Sequence, residues 1–167
     1  MAATYRVGEG YDIHRLEKGR PMRVGCIEIP CEFGPLGHSD GDVLAHALCD
    51  ALLGALALGD IGAHFPPSDP RWHGADSKQF VAHAAALAHA RGARVANVDS
   101  TIVLEKPKLA RHIPEMRRVL ADLLGCELSV VSVKAKTAEG LGPVGEGRAV
   151  EAHVVVCLEL TEARDAS

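Results

Sequence analysis

GHSDGDVLAHALCDALLGALALGDIG, from Gly37 to Gly62, joins a core-forming helix to a dense cluster of chemically capable side chains. Asp42, His46 and Asp50 recur every four residues, so on a helix they stack along one face. Leu44, Leu48, Ala51, Leu52 and Ala55 fill another face at the spacing of a buried stripe. Ser39 or Asp40 is placed to cap the start, leaving backbone N–H groups open to a nearby anion. The expected helix is anchored in a core on one side and offers imidazole and carboxylate on the other. A merely solvated polar face has the same pattern, so the rest of the chain must decide.

The totals narrow the choice. At 167 residues the chain is long enough for one domain with a proper core. A formal charge of −4 argues against a broad nucleic-acid surface, yet leaves room for a polyanionic small substrate held by a metal and a few local cations. No apolar run is long enough to cross a bilayer, and Met1–Gly10 lacks the basic and apolar regions of a signal peptide. The five cysteines are odd in number and form no CxxC pair, which reads as reduced thiols in a cytoplasmic protein.

Upstream of the helix, Tyr5–His14 reads as a strand that projects Asp12 and His14 to the same face, half a site for a divalent metal such as zinc. Met22–Ile29 reads as a second strand or a hairpin, and Pro30–Pro35 as a loop. Downstream, Asp60–Pro70 carries three prolines and reads as a shaped, irregular loop; His64 and His73 there are either ligands or simply solvated. A second helix is expected over Asp76–Arg91, capped by Asp76 or Ser77, with His83 and His89 at the surface. Asn97–Leu104 is a strand leading into Glu105-Lys106-Pro107-Lys108, whose lysines either reach a phosphate or are ordinary exposed side chains. Ile113–Leu124 is a third helix, Ser129–Thr137 an alternating strand, and Ala149–Leu160 the last strand, burying Val150, Ala152, Val154, Val156 and Leu158. Glu139 opens a glycine-rich turn that lacks the Gly-Lys-Ser/Thr ending of a Walker loop. Residues 1–160 thus form one domain of α/β or α+β type, a sheet covered by helices, and 161–167 a flexible tail.

Taken together, GYDIH at 10–14, the 37–62 stretch, the FPPSDP loop, GADS at 74–77, NVDSTIVLEKPKL at 97–109, HIPEMR at 112–117 and VKAKTAEGLG at 133–142 resemble the 2-C-methyl-D-erythritol 2,4-cyclodiphosphate synthases of non-mevalonate isoprenoid biosynthesis. The matching blocks keep their order and cover the chain from Tyr5 to Leu160. The resemblance implies a homotrimer of mixed sheets facing the three-fold axis, helices on the outer side, and active sites between subunits. It implies zinc on Asp12, His14 and His46, and a second divalent ion, magnesium or manganese, on Glu139. The implied reaction is a lyase-type cyclisation: the 2-phosphate of 4-diphosphocytidyl-2-C-methyl-D-erythritol 2-phosphate attacks the β-phosphorus and expels CMP. Zinc would polarise the β-phosphate and the second ion steady the leaving group, with positioning and charge neutralisation as the catalytic means.

By the same resemblance His38 and Ser39 lie near the 2-phosphate, while Asp60, Ile61, Gly62 and Phe65 contact methylerythritol. Leu104, Lys108, Leu109 and Ala110 form the cytidine pocket, and Lys136 and Thr137 touch the diphosphate. Asp50 either orients His46 or is an ordinary surface aspartate. Two departures stand out: Lys136 replaces a usual threonine, and Pro143–Arg148 is about two residues short, without the arginine before Gly-Glu-Gly. The second leaves open any isoprenoid diphosphate in a central trimer cavity. The rival readings are a zinc phosphohydrolase and a non-catalytic trimeric binding module.

Overall fold

Alternation along the first strand sets the architecture. In β1 (Thr4–Lys18), Gly8, Gly10, Asp12 and His14 turn to one face, and Val7, Glu9, Tyr11 and Ile13 to the exposed other. The computed structural model describes residues 3–160, so the tail expected at 161–167 lies outside the described residues. Helix α1 (Val43–Ala55) packs straight onto the two glycines. A Cβ on Gly8 would lie 1.9 Å from the Ala51 carbonyl oxygen, so only glycine admits the helix backbone this closely.

Five strands form the main sheet in the order β4 (Phe33–Pro35), β1, β7 (Ala149–Leu160), β5 (Ala93–Val103) and β6 (Val131–Lys136). All neighbours are antiparallel except β5 and β6, which run parallel and are joined through helix α4 (Ile113–Leu124). Helices α1, α3 (Lys78–His89) and α4 cover one face. Under them lie the buried side chains of β7: Val150, Ala152, Val154, Val156 and Leu158, as their alternation requires. Leu44, Leu48 and Leu52 of α1 are also fully buried, each worth roughly 1.5–3 kcal/mol. That burial fixes the helix firmly enough for it to carry polar groups at its start. The opposite face keeps Val7, Tyr11, Ile13 and Val155 exposed. The expected mixed α/β layering, with helices on one side, is what the chain adopts.

The start of α1 differs from expectation. Asp42, not Ser39 or Asp40, is its N-cap, and its carboxylate accepts the Ala45 N–H. It is wholly buried and also accepts the N–H groups of Gly25 and Cys26 at 2.9 and 2.6 Å. Those two residues form the turn between β2 (Met22–Val24) and β3 (Ile27–Ile29), both at positive φ as a two-residue hairpin prefers. Asp42 therefore ties the hairpin to the helix and offers nothing to a ligand. Burial pushes its carboxyl pKa upward, against the pull of those N–H groups.

Three short elements occupy stretches expected to be irregular. Helix α2 (Ile61–His64) precedes the prolines at 66, 67 and 70, which therefore do not forbid it, and Asp60 caps it. Helix α5 (Gly142–Gly145) has Pro143 in its first turn, where no helical hydrogen bond needs its N–H. Strand β4 pairs with the end of β1 for three residues. The 129–137 strand likewise starts later, at Val131, after a single 3₁₀ turn over Leu128–Val130.

Candidate active site

The register of β1 and the seating of α1 bring Asp12, His14 and His46 together. Asp12 Oδ2 lies 2.8 Å from His14 Nε2 and 2.9 Å from His46 Nδ1, and the two ring nitrogens are 3.1 Å apart. Each imidazole has its outer nitrogen committed. His14 Nδ1 lies 2.8 Å from the Leu36 carbonyl, which can only accept, so Nδ1 carries the proton. His46 Nε2 meets the Ser77 and Ser39 hydroxyls at 2.9 and 3.0 Å. Ser77 Oγ in turn donates to Asp40 Oδ1 at 2.5 Å and therefore accepts from His46.

With both rings neutral, the inner atoms are three electron-pair donors pointed at one another, and either a proton on a ring or a bound cation must lie between them. A divalent cation fits such a set as well as a proton does. Donors on a tetrahedral ion at roughly 2.0–2.1 Å are separated by about 3.3 Å, so these side chains reach that spacing by moving roughly 0.2–0.5 Å. Among the described residues this is the triad able to hold a metal ion. Burial disfavours charge on Asp12, yet its hydrogen bonds to both histidines outweigh that and hold its carboxyl well below the usual range. Burial likewise opposes a proton on His14, and the bond to Asp12 overcomes it and raises the pKa.

Two separate concavities frame the chemistry. The first, about 160 Å³, is lined by His14, His46, His38, Ser39, Ile61, Gly62 and Phe65, with Pro67, Trp72 and Phe80. The second, about 140 Å³, is lined by Leu104, Pro107, Lys108, Leu109, Ala110, Ile113, Ala135, Lys136 and Thr137. They share no lining residue. Each is smaller than the roughly 300–1,000 Å³ typical of a small-molecule site. Glu139 sits beside the second, exposed, accepting from Thr137 Oγ1 at 2.6 Å.

Comparison with known proteins identifies the family. The YgbB family model matches residues 5–159. The chain belongs to the YgbB family. A relative from Solibacter usitatus named 2-C-methyl-D-erythritol 2,4-cyclodiphosphate synthase is 57% identical over 92% of this chain and 97% of its own length. One of the same name from Gloeobacter violaceus is 55% identical over 92% and 94%. A solved structure of that synthase in a CDP-bound form superposes with a TM-score of 0.85 at 42% identity, covering 92% of this chain and 99% of that one.

Within this YgbB chain His14 and His46 of the triad line one concavity with the expected 2-phosphate and methylerythritol residues His38, Ser39, Ile61, Gly62 and Phe65, whereas Asp12 and Asp60 do not line it. One oxygen of the Asp60 carboxylate, Oδ1, caps α2 by accepting the Ala63 N–H at 2.8 Å. The expected cytidine residues and Lys136–Thr137 meet in the other concavity. Asp50 does not reach His46; it accepts the Ile61 N–H at 2.7 Å and fixes the start of α2. The carboxylate behind His46 is Asp40, acting through Ser77. Sequence reasoning does not mark Trp72 and Phe80 as lining, although an aromatic beside FPPSDP is a signal: Phe65, Trp72 and Phe80 pack with centroids 4.4–5.8 Å apart. His64 and His83 contact each other and Phe65 rather than the triad.

Proposed function

We infer that the chain catalyses the reaction of its synthase relatives: cyclisation of 4-diphosphocytidyl-2-C-methyl-D-erythritol 2-phosphate to 2-C-methyl-D-erythritol 2,4-cyclodiphosphate with release of CMP. The observation that carries this reading is the convergence of Asp12, His14 and His46 on a point able to hold a cation, in a chain 57% identical to a named synthase. Zinc suits the donor set, two imidazoles and one carboxylate with a fourth position for substrate, and supplies positive charge to a phosphate oxygen. His38 and Ser39 orient the 2-phosphate; Ile61, Gly62 and Phe65 shape the methylerythritol pocket, with Asp60 a hydroxyl acceptor at its edge. Leu104, Leu109 and Ala110 receive the cytidine, while Lys108 and Lys136 offset its diphosphate. Thr137 and Glu139 approach the same diphosphate, with Glu139 the holder of a magnesium or manganese ion. The attacking group is already a phosphate, so the residues position and neutralise rather than abstract a proton.

A homotrimer completes the site. Two undersized half-sites on one chain become one full site when the metal half of one subunit meets the cytidine half of the next. The exposed apolar side chains Val7, Tyr11, Ile13 and Val155 support a buried three-fold face for the sheet. Five unpaired cysteines suit a reducing compartment, and the cytoplasm is the one we assign. Among the described residues no helix is long and apolar enough to cross a membrane.

The test is a pair of variants assayed for bound zinc and for CMP release. His46→Ala is expected to lose zinc and turnover together; Glu139→Ala keeps zinc and loses most turnover. Full turnover by zinc-free His46→Ala protein would defeat the assignment.

A further inference from the structure

We propose that Ser77 and Asp40 are positioning residues for the metal ligand His46, forming a buried hydrogen-bond chain behind its ring. The proposal rests on reading Asp12, His14 and His46 as a metal centre.

Three observations carry it. The first is direction. Ser77 is fully buried, its hydroxyl proton is taken by Asp40 Oδ1, and its oxygen lies 2.9 Å from His46 Nε2. An acceptor so oriented puts the imidazole proton on Nε2 and leaves the Nδ1 lone pair facing Asp12 and His14. The second is that Ser77 occupies the N-cap position of α3 yet makes no side-chain cap bond there. A cap serine normally accepts a backbone N–H of the first turn; this one is turned away from the helix and towards His46. The third is the bracing of Asp40. Its Oδ2 accepts the Ser77 N–H at 2.9 Å and its Oδ1 the Asp42 N–H at 3.1 Å, so one carboxylate spans the starts of α3 and α1. The relay is therefore held by both helices whose ends it joins.

The two serines on His46 have different duties. Ser39 lines the metal-side concavity and Ser77 does not. Among the described residues, His46 is the polar partner of the Ser39 hydroxyl. The one Nε2 proton is shared between the two serine oxygens, and the Ser39 hydroxyl proton is then left for the concavity, where a phosphate oxygen can take it. Ser77 fixes the ring and Ser39 meets the ligand.

The experiment measures zinc dissociation constants of wild-type, Ser77→Ala and Ser77→Thr protein by competition with a chromophoric chelator, together with the visible spectra of the cobalt-substituted forms. Loss of a partner behind a metal-bound histidine typically weakens binding about 10–100-fold. Ser77→Ala is expected to show that loss and altered cobalt bands, and Ser77→Thr, which keeps the hydroxyl, to restore both. Ser77→Ala with wild-type zinc affinity and an unchanged cobalt spectrum overturns the proposal alone. Wild-type protein that takes up no zinc overturns the metal reading and this proposal with it. A measurement free of variants is proton–nitrogen NMR of the zinc-loaded wild type: His46 protonated at Nε2 supports the chain, and His46 protonated at Nδ1 overturns it.

Discussion

Gly10 faces Ala47 so closely that a Cβ on the glycine would lie 1.9 Å from the Ala47 carbonyl oxygen. This contact is backbone against backbone and has no flexible side chain to yield. It also sets the metal site, because Asp12 follows Gly10 on the same strand face and His46 precedes Ala47 on the helix. Gly10→Ala is expected to push α1 off the sheet and destabilise the protein by about 3 kcal/mol, with zinc affinity falling in parallel. Gly54 in the same helix meets nothing nearer than 3.9 Å, so Gly54→Ala should be neutral or stabilising by about 0.5–1 kcal/mol. Urea unfolding and zinc titration of the two variants check the contrast; equal behaviour would mean that the close approach does not matter.

Much of this was legible in the sequence because periodicity reports burial. The alternation of Ala149–Leu160 and the apolar stripe of α1 each identified a buried face correctly. Asp12 and His14 were found by their spacing of two, which places them on one side of any strand. What the pattern did not carry was the partner of each polar group. Asp42, His46 and Asp50 form one stripe by spacing, yet only His46 joins the metal triad. Asp42 is consumed by the Gly25–Cys26 turn and Asp50 by the Ile61 N–H. Those contacts join residues 11 to 17 positions apart through turns whose geometry no local spacing encodes. Ser77 had the sequence look of a cap, and only the packing of α3 against α1 reveals that its hydroxyl serves His46 instead.

The proposed sharing of the site between subunits of a trimer predicts complementation. His46→Ala lacks the metal half and Glu139→Ala lacks the diphosphate half, and each alone is expected to be nearly inactive. Trimers reassembled from equal amounts should regain about a quarter of their sites, since each site draws its halves independently from two neighbouring subunits. Turnover after joint refolding reads this directly. Activity no greater than the sum of the separate variants would show that both halves act within one chain.

Cys49 gives a pH test of the core beneath the site. Burial, with the nearby Asp50 charge, pushes its thiol up to about 12. In the unfolded chain a thiol ionises near about 8.5. The folded state therefore holds the proton over a range where the unfolded state has lost it, and stability falls as pH rises through that window. Below it the contribution is constant. Thiol reagent at pH 8 is expected to spare Cys49 in the folded protein while labelling partly exposed Cys31, as mass spectrometry of the digest would show. Rapid labelling of Cys49 under native conditions would contradict the packing of α1 on α3.

The most direct test of the central claim is phosphorus NMR of the purified protein with 4-diphosphocytidyl-2-C-methyl-D-erythritol 2-phosphate, zinc and magnesium. A cyclic diphosphate and CMP should appear together in equal amounts, and neither after zinc is removed by chelation. Open-chain methylerythritol phosphates accumulating without the ring would contradict that claim and mark the chain as a hydrolase.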